Sequence, residues 1–583
     1  MDFTRRHFLG AACATAGARF GALAGDFGGG RPLMRFGVLS DVHLNTDGDE
    51  RHFLKALAWF RDRGADAVMI AGDIADTGRI EQLERCASCW FRVFPDNKAP
   101  DGRVVERLFV YGNHDVEGWT YGGNVAARYP TEASKREQVL GYGDNRQRVW
   151  QRLFDEEWTP VWRKTVKGVT FIGAHWDNDR GGHCPAIESY MQAHAREIDP
   201  HLPFFYAQHG HPKDTCYGPW AWGHDPGYAT RALSPFPNAV AFSGHSHYTL
   251  TDERSVWQGA FTSIGTATLR RTSLDYAGVE NSNGNGFDAA EKAFGRACAM
   301  KPLYREDGKQ GQLVEVYADR LVVRRRDFVY DGSLGPDWTI PIPVSPSYSF
   351  SARAARRTAP AFAAGAKPSV FLHAAPPACA AATATGPHAY VTFPAARSVA
   401  GCRVFAYEVA ARRSDGTAVD VRRVMAPGFN LPEALADRPG ECIFPLALFK
   451  PGEAVRFEVR PEECFGRKGA AIASDPVLIP APRPATAGAY VDANPDTPVR
   501  GQAADGRRQL NWSWPAGAHS ARLTIDGAQG RSEHLFGSLT DSWDWRPAPG
   551  SGSACSFRLE FFASDGATGD PLPGKTLNAR TEL

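Results

Sequence analysis

Five short polar clusters stand out in the 583-residue sequence: Asp41-Val42-His43, Gly72-Asp73, Gly112-Asn113-His114-Asp115, Gln208-His209-Gly210-His211 and Gly244-His245-Ser246-His247. They offer carboxylates, imidazoles and an amide. Such donors suit borderline metals such as Mn, Fe or Zn, not the thiolate-bound structural zinc that cysteine clusters make. Taken singly, each cluster is weak. Another Asp-x-His occurs at Asp199-Pro200-His201, with no apolar run before it. The weight comes from five such clusters, each after a short apolar run.

Those runs are the elements that must position the clusters. Residues 33–39, 67–70, 108–111, 170–174, 204–207 and 239–243 read as strands. Residues 51–63 place Phe53, Leu54 and Leu57 at helical spacing, and residues 80–92 form a second helix candidate. Segments 313–316 and 321–323 flank Asp319-Arg320 as a hairpin. Strands alternating with helices predict a layered α/β domain over residues 25–344. In such sheets, ligands bind beyond the carboxyl ends of the strands, where the five clusters fall.

In this order the clusters resemble the calcineurin-like metallophosphoesterase family, whose pattern is D-x-H, G-D, G-N-H-D/E, a separate His, and G-H-x-H. The resemblance runs from about Phe36 to Val323, roughly half the chain, and no ligand motif is substituted. It implies an αββα fold and two divalent or trivalent metal ions. Asp73 would bridge them, because two cations about 3.5–4 Å apart need a shared anionic ligand. Asp41, His43 and His247 would complete one metal; Asn113, His209 and His245 would complete the other. By the same resemblance, metal-activated hydroxide attacks a phosphate ester while His114 assists the leaving group. Asp115 is read as catalytic through His114, orienting its ring; a turn cap is the alternative. Asp76 could support a ligand or cap a helix.

Three loops are expected to shape the pocket. Residues 116–130 carry Trp119, Tyr121 and Tyr129; residues 176–185 carry Asp177, Asp179, Arg180 and His183; residues 213–228 carry Lys213, Tyr217, Trp220, Trp222 and His224. Arg180, Lys213, Trp220 and His224 are the candidates for substrate contact. For any one of the aromatics, packing against its neighbours outweighs stacking on a base or sugar.

The flanks supply context. Thr4-Arg5-Arg6-His7-Phe8-Leu9, a mild apolar stretch and Ala22-Leu23-Ala24 resemble a twin-arginine export signal over residues 1–24. That predicts an exported protein, in the periplasm or at the cell surface. Residues 345–369, rich in Ser, Ala, Arg and Pro, read as a linker. Beyond it, strand-like segments at 404–410, 443–448, 455–459, 509–514, 521–525 and 556–562 predict two all-β sandwiches, 370–480 and 481–583. The run Arg456-Phe457-Glu458-Val459-Arg460 with Cys464-Phe465-Gly466 loosely resembles a fibronectin type III module. The sandwiches could associate with the cell envelope. They hold no matching catalytic cluster, so residues after about Ser369 are expected to be dispensable for chemistry on small substrates.

Lys and Arg number 66 against 65 Asp and Glu, a balance that argues against nucleic-acid binding. Beyond the N-terminus no apolar run is long enough to span a bilayer. Eleven cysteines are too few for a disulfide scaffold, and Cys86-x-x-Cys89 lacks a partner pair for zinc. The sequence therefore predicts an exported hydrolase of phosphomonoesters or phosphodiesters. The alternative is an adhesive or carbohydrate-binding surface protein that works through its sandwiches.

Overall fold

The computed structural model describes residues 31–177, 184–218, 221, 223–272, 308–373, 388–397 and 403–479, and parts of 508–580. The export signal, Arg180, Trp220 and Trp222 lie outside the described residues. So do Asp179 and His183.

The first domain is built on two six-stranded sheets. One holds β1 (Met34–Leu39), β2 (Ala67–Ala71) and β3 (Glu106–Val110) in parallel. β10 (Gln310–Val316), β11 (Arg320–Asp327) and β12 (Trp338–Pro341) extend it antiparallel beyond β1. The other runs β4 (Val161–Val166), β5 (Val169–Ala174), β6 (Phe204–Ala207), β7 (Ala239–Ser243), β9 (Thr262–Gly265), β8 (Val256–Gln258). Its four middle strands are parallel.

Apolar residues on both faces of β1, β2 and β3 are what a parallel sheet covered on both sides demands. Phe36 sits at the junction, its ring edge-on to Phe171, Phe205 and Phe242 of the second sheet. One core lies between the sheets, and two more lie under the outer helices. The layering is therefore αββα, as the family resemblance implied. The first helix, α1 (Asp47–Asp62), begins earlier than residue 51 because a capping box starts it. Asp49 N donates to Thr46 Oγ1, and Thr46 N donates to Asp49 Oδ2. Its buried face is Phe53, Ala56, Leu57 and Phe60. Cys86 and Cys89 lie buried and unpaired on α2 (Ile80–Val93).

Residues 345–369 carry a short helix, Phe350–Ala355. Its buried Arg353 donates to the carbonyls of Glu253 and Val256, and Arg357 pairs with Glu253. This segment is held against the first domain. The β-rich region beyond forms sheets of three and five strands around one apolar core, then sheets of two and four strands around another. The strand expected at 443–448 runs Gly440–Pro445, because Pro445 has no amide to continue the ladder.

The core nearer the first domain is shared with it. Cys216, Tyr217, Ala221 and Tyr248 belong to the same apolar cluster as Phe405, Phe429 and Phe457. Asn430 accepts from Gln310 Nε2 at 3.0 Å and donates to Thr272 Oγ1 at 2.5 Å. The Arg254 guanidinium lies 4.5 Å over the Phe405 ring. Among the described residues, no helix is long and apolar enough to cross a membrane.

Candidate metal centre

The carboxyl ends of β1, β2, β3, β6 and β7 deliver all five clusters to one spot. Asp41, His43, Asp73, His245 and His247 all take left-handed backbone conformations, with φ between 47° and 69°. Non-glycine residues rarely adopt this region, and its concentration at these five positions points to function. Close approach explains two of the glycines. A Cβ on Gly72 would lie 2.3 Å from His209, and one on Gly112 would lie 2.2 Å from Asp73 Oδ1.

Asp41 and Asp73 each spend one oxygen on the protein and turn the other inward. Asp41 Oδ2 accepts from Ser40 Oγ at 2.5 Å and His245 N at 3.0 Å. Asp73 Oδ1 accepts from His114 N at 2.8 Å. Asp73 Oδ2 then stands 3.0 Å from His209 Nε2 and 3.7 Å from His43 Nε2. Asp41 Oδ1 stands 3.0 Å from His247 Nε2. His43 and His247 face each other, Nε2 to Nε2, at 3.1 Å, and His245 Nδ1 is 3.2 Å from His209 Nε2. Two ligand groups result, Asp41–His43–Asp73–His247 and Asp73–His209–His245, with Asp73 common to both.

The tautomers follow from the outer partners. His43 Nδ1 meets Asp76 Oδ1 at 3.2 Å, His209 Nδ1 meets Ala71 O at 2.8 Å, and His247 Nδ1 meets Arg271 O at 3.1 Å. Each acceptor draws the ring proton to Nδ1 and leaves the Nε2 lone pair facing inward. Three imidazole lone pairs and two carboxylates then converge, while Asp41 Oδ1 and Asn113 Oδ1 are buried without hydrogen bonds. Polar atoms are not left this way unless something satisfies them. The donor set fits borderline cations.

The electrostatics agree. Burial opposes ionisation of Asp41, yet His247 and His209 hold its carboxyl down to about 2. Asp73 is likewise held below the usual range, against burial, by His209 above all. Burial disfavours charge on His209, but Asp73 and Asp41 raise it to about 9. Burial lowers His43 to about 4 even with Asp76 against it.

His114 lies beside the cluster, its ring 4.5 Å from that of His43. Its Nδ1 meets Asp76 O at 2.5 Å, which leaves Nε2 for other partners. With His43 and Asp76 it forms a third compact group, but both Nδ1 atoms there are already hydrogen-bonded to Asp76. Asp76, left open between two roles by the sequence, supports His43; Asn45 and Arg270 bind it in turn.

Two expected roles are corrected. Asp115 does not orient His114. Its fully buried carboxylate accepts from Ile74 N, Ala75 N and Gly112 N at 3.2, 2.6 and 2.7 Å, tying the β2 loop to the β3 loop. Burial and the nearby Asp73 push its carboxyl up to about 7. His224 is not free to meet phosphate: Nδ1 accepts from Asp214 N and Nε2 donates to Cys216 O. Lys213 sits in the same loop, its amide donating to Asp225. His211 bonds Ser243 Oγ and Ser246 Oγ, which braces the turn carrying His245 and His247. Trp119 packs on Tyr129 and Tyr142.

Sequence reasoning missed Glu117, Arg270 and His175. His175, buried after β5, accepts from Tyr111 N and packs among Tyr111, Trp150 and Trp158. Arg270 follows β9, whose Thr-Ser-Ile-Gly is too short and polar to read as a strand. Its place after a strand end was the one available signal.

Residues 34–248 match the family model for calcineurin-like phosphoesterases. This part of the chain is a calcineurin-like phosphoesterase domain. The fold is similar to that of a dimetal phosphatase from Danio rerio, at 14% identity and a TM-score of 0.27 over 54% of this chain and all of that one. It is also similar to GAP50, the anchor in the inner membrane complex of Plasmodium, at 12% identity and a TM-score of 0.32, over 54% of this chain and 89% of that one. A predicted phosphoesterase from Streptococcus pneumoniae is 12% identical with a TM-score of 0.22, over 53% and 97%. At these values nothing about substrate passes to this chain. No curated protein matches.

Proposed function

We propose that the protein is an exported dinuclear-metal phosphoesterase acting on a phosphomonoester or phosphodiester outside the cytoplasm. One observation carries the reading: Asp73 Oδ2 is common to two groups of inward-facing ligands. Asp41, His43 and His247 would hold one ion; Asn113, His209 and His245 would hold the other. When bound, the ions would supply Lewis-acid activation of water and offset charge on the phosphoryl oxygens. The protein's own groups do the rest. The Asp76 carbonyl accepts the Nδ1 proton of His114 and holds the ring, so that in the imidazolium form Nε2 carries the proton to be given up. As the ester P–O bond breaks, Nε2 gives its proton to the departing oxygen. Asp115 holds the β2 and β3 loops in register, and so holds Asp73 beside Asn113. Arg5-Arg6 and Ala22-Leu23-Ala24 support export.

The test is hydrolysis of aryl phosphate monoesters and diesters by the purified mature protein loaded with Mn²⁺. Turnover that disappears on chelation and returns with metal is expected. A metal-loaded protein inactive on every ester of a broad panel would refute the reading.

A further inference from the structure

The ligands of one candidate ion lean on a single stretch of chain, residues 268–272, just after β9. Thr268 Oγ1 donates to Asp41 O at 3.1 Å, and Leu269 N donates to Ser40 O at 3.0 Å. Arg270 donates to His43 O at 3.3 Å and pairs with Asp76, the partner of His43 Nδ1. Arg271 O accepts from His247 Nδ1 at 3.1 Å. Asp41, His43 and His247 are thus all braced by neighbouring residues of one segment. His209 is held elsewhere, by Ala71 O.

The far end of this segment is tied to the first sandwich. Asn430 Nδ2 donates to Thr272 Oγ1 at 2.5 Å. An amide can be turned end for end, so its direction needs a cause. The cause is Gln310. Leu250 N, which can only donate, stands 2.7 Å from Gln310 Oε1 and fixes that oxygen. Gln310 Nε2 is left facing Asn430 Oδ1 at 3.0 Å, and Asn430 Nδ2 is left facing Thr272. Asn430 itself stands on an anchored turn. Arg403 donates to the carbonyls of Gly428, Phe429 and Leu431 around it, and to Leu334 O in the first domain. Asn430 and Thr272 are 4% and 0% exposed. A Cβ on Gly308 would lie 2.5 Å from Thr272 Cγ2 and 2.8 Å from Asn430 Nδ2, so the chain closes directly over the bond.

The tie reaches the site through one peptide. Arg271 O and Thr272 Cα belong to the same rigid plane. What holds Thr272 therefore holds the carbonyl that keeps the His247 proton on Nδ1 and turns its Nε2 lone pair inward.

We infer that Asn430, a residue of the first sandwich, is a positioning residue for the candidate ion of Asp41, His43 and His247. Through Thr272 it sets the affinity of that position and not of the one at His209 and His245. This rests on the dinuclear reading of the site.

Thr272→Val is close in shape and deletes the hydroxyl. It is made in two backgrounds, and each protein is stripped of metal and titrated with Mn²⁺, the free ion being read by electron paramagnetic resonance. His209→Ala leaves Asp41–His43–Asp73–His247 whole, and His247→Ala leaves Asp73–His209–His245 whole. In His209→Ala, Thr272→Val is expected to weaken the remaining ion by about 2- to 12-fold, the usual worth of one hydrogen bond. In His247→Ala it changes nothing. Asn430→Ala gives the same selective loss, and the two changes together add little, because both break one link. Thr272→Ser, which keeps the hydroxyl, restores the affinity. Unchanged affinity in His209→Ala overturns the inference. Equal weakening in both backgrounds marks a merely structural role and overturns it too. An otherwise unaltered protein that binds no pair of Mn²⁺ ions overturns the dinuclear reading itself, and that control separates the two failures.

Discussion

Ending the chain at Val344, before the segment that leads to the first sandwich, should destabilise the catalytic domain and loosen its metal centre. The absence of catalytic motifs beyond residue 369 pointed the other way. The reversal comes from Tyr217 and Tyr248, which are 2% and 0% exposed and share an apolar cluster with Phe405 and Phe429. Burying one large side chain contributes about 1.5–3 kcal/mol, so uncovering both costs about 3–6 kcal/mol. That is a large share of the 5–15 kcal/mol by which domains are typically stable. At about 2 °C per kcal/mol, the metal-free melting temperature should fall by about 6–12 °C. The damage should reach the site. Tyr217 lies 5.4 Å from the ring of His211, which bonds Ser246 between two ligands. The assay compares thermal melts of the metal-free full-length and shortened chains, then their Mn²⁺ titrations. Equal melting temperatures and equal metal affinities would refute the argument and make the sandwich an independent module.

Other outcomes follow from the same geometry. Asp73→Asn should lose metal and activity together, because it removes the carboxylate common to both groups; metal analysis checks it. His114→Ala should keep its metal yet lose about 10²–10⁴ in rate on esters with poor leaving groups, and far less on nitrophenyl esters, whose leaving group needs no proton. His175 is lowered by burial, then by Arg146 and Lys164, to about 3. Since its unfolded value is about 6.5, stability is complete above that pH and drains away as pH falls towards 3, by on the order of 4 kcal/mol. Comparing pH-dependent melts of wild type and His175→Gln reads this as a flatter acid limb in the variant. Replacing Arg5 and Arg6 by Lys should strand the precursor in the cytoplasm, as fractionation would show.

What could be read in advance was what local order dictates. Each ligand stands within a few residues of a strand, and a strand shows in four or five consecutive apolar residues such as Ala67–Ala71. The roles of Asp115 and His224 could not be read this way. Asp115 answers to amides about 40 residues back in the chain, and His224 to a loop that folds over on itself. Asn430, which joins the first sandwich to Gln310, has no local signature at all. Glu117 was invisible because its carboxylate answers to the indole of Trp176, 59 residues further along the chain. The start of α1 was legible in Thr46 and Asp49 but lay beyond the apolar repeat that marks the rest of the helix.

The strain at the ligands connects the site to the rest of the chain. Left-handed conformations at non-glycine residues cost about 1–3 kcal/mol each and persist only where surrounding contacts enforce them. Here five of them gather around carboxylates and imidazoles whose lone pairs face one another. Both terms work against the metal-free fold, and a cation bound only by the folded protein offsets them by mass action. The strands of the first sandwich and the braced turn at His211 supply the remaining enforcement from outside the site. A protein stabilised in this way gains most when it folds where its metal is supplied. An export route that carries folded chains would suit that requirement. Comparing the melting temperature of the metal-loaded protein before and after metal removal measures the coupling, and an unchanged value would break this link between strain and metal.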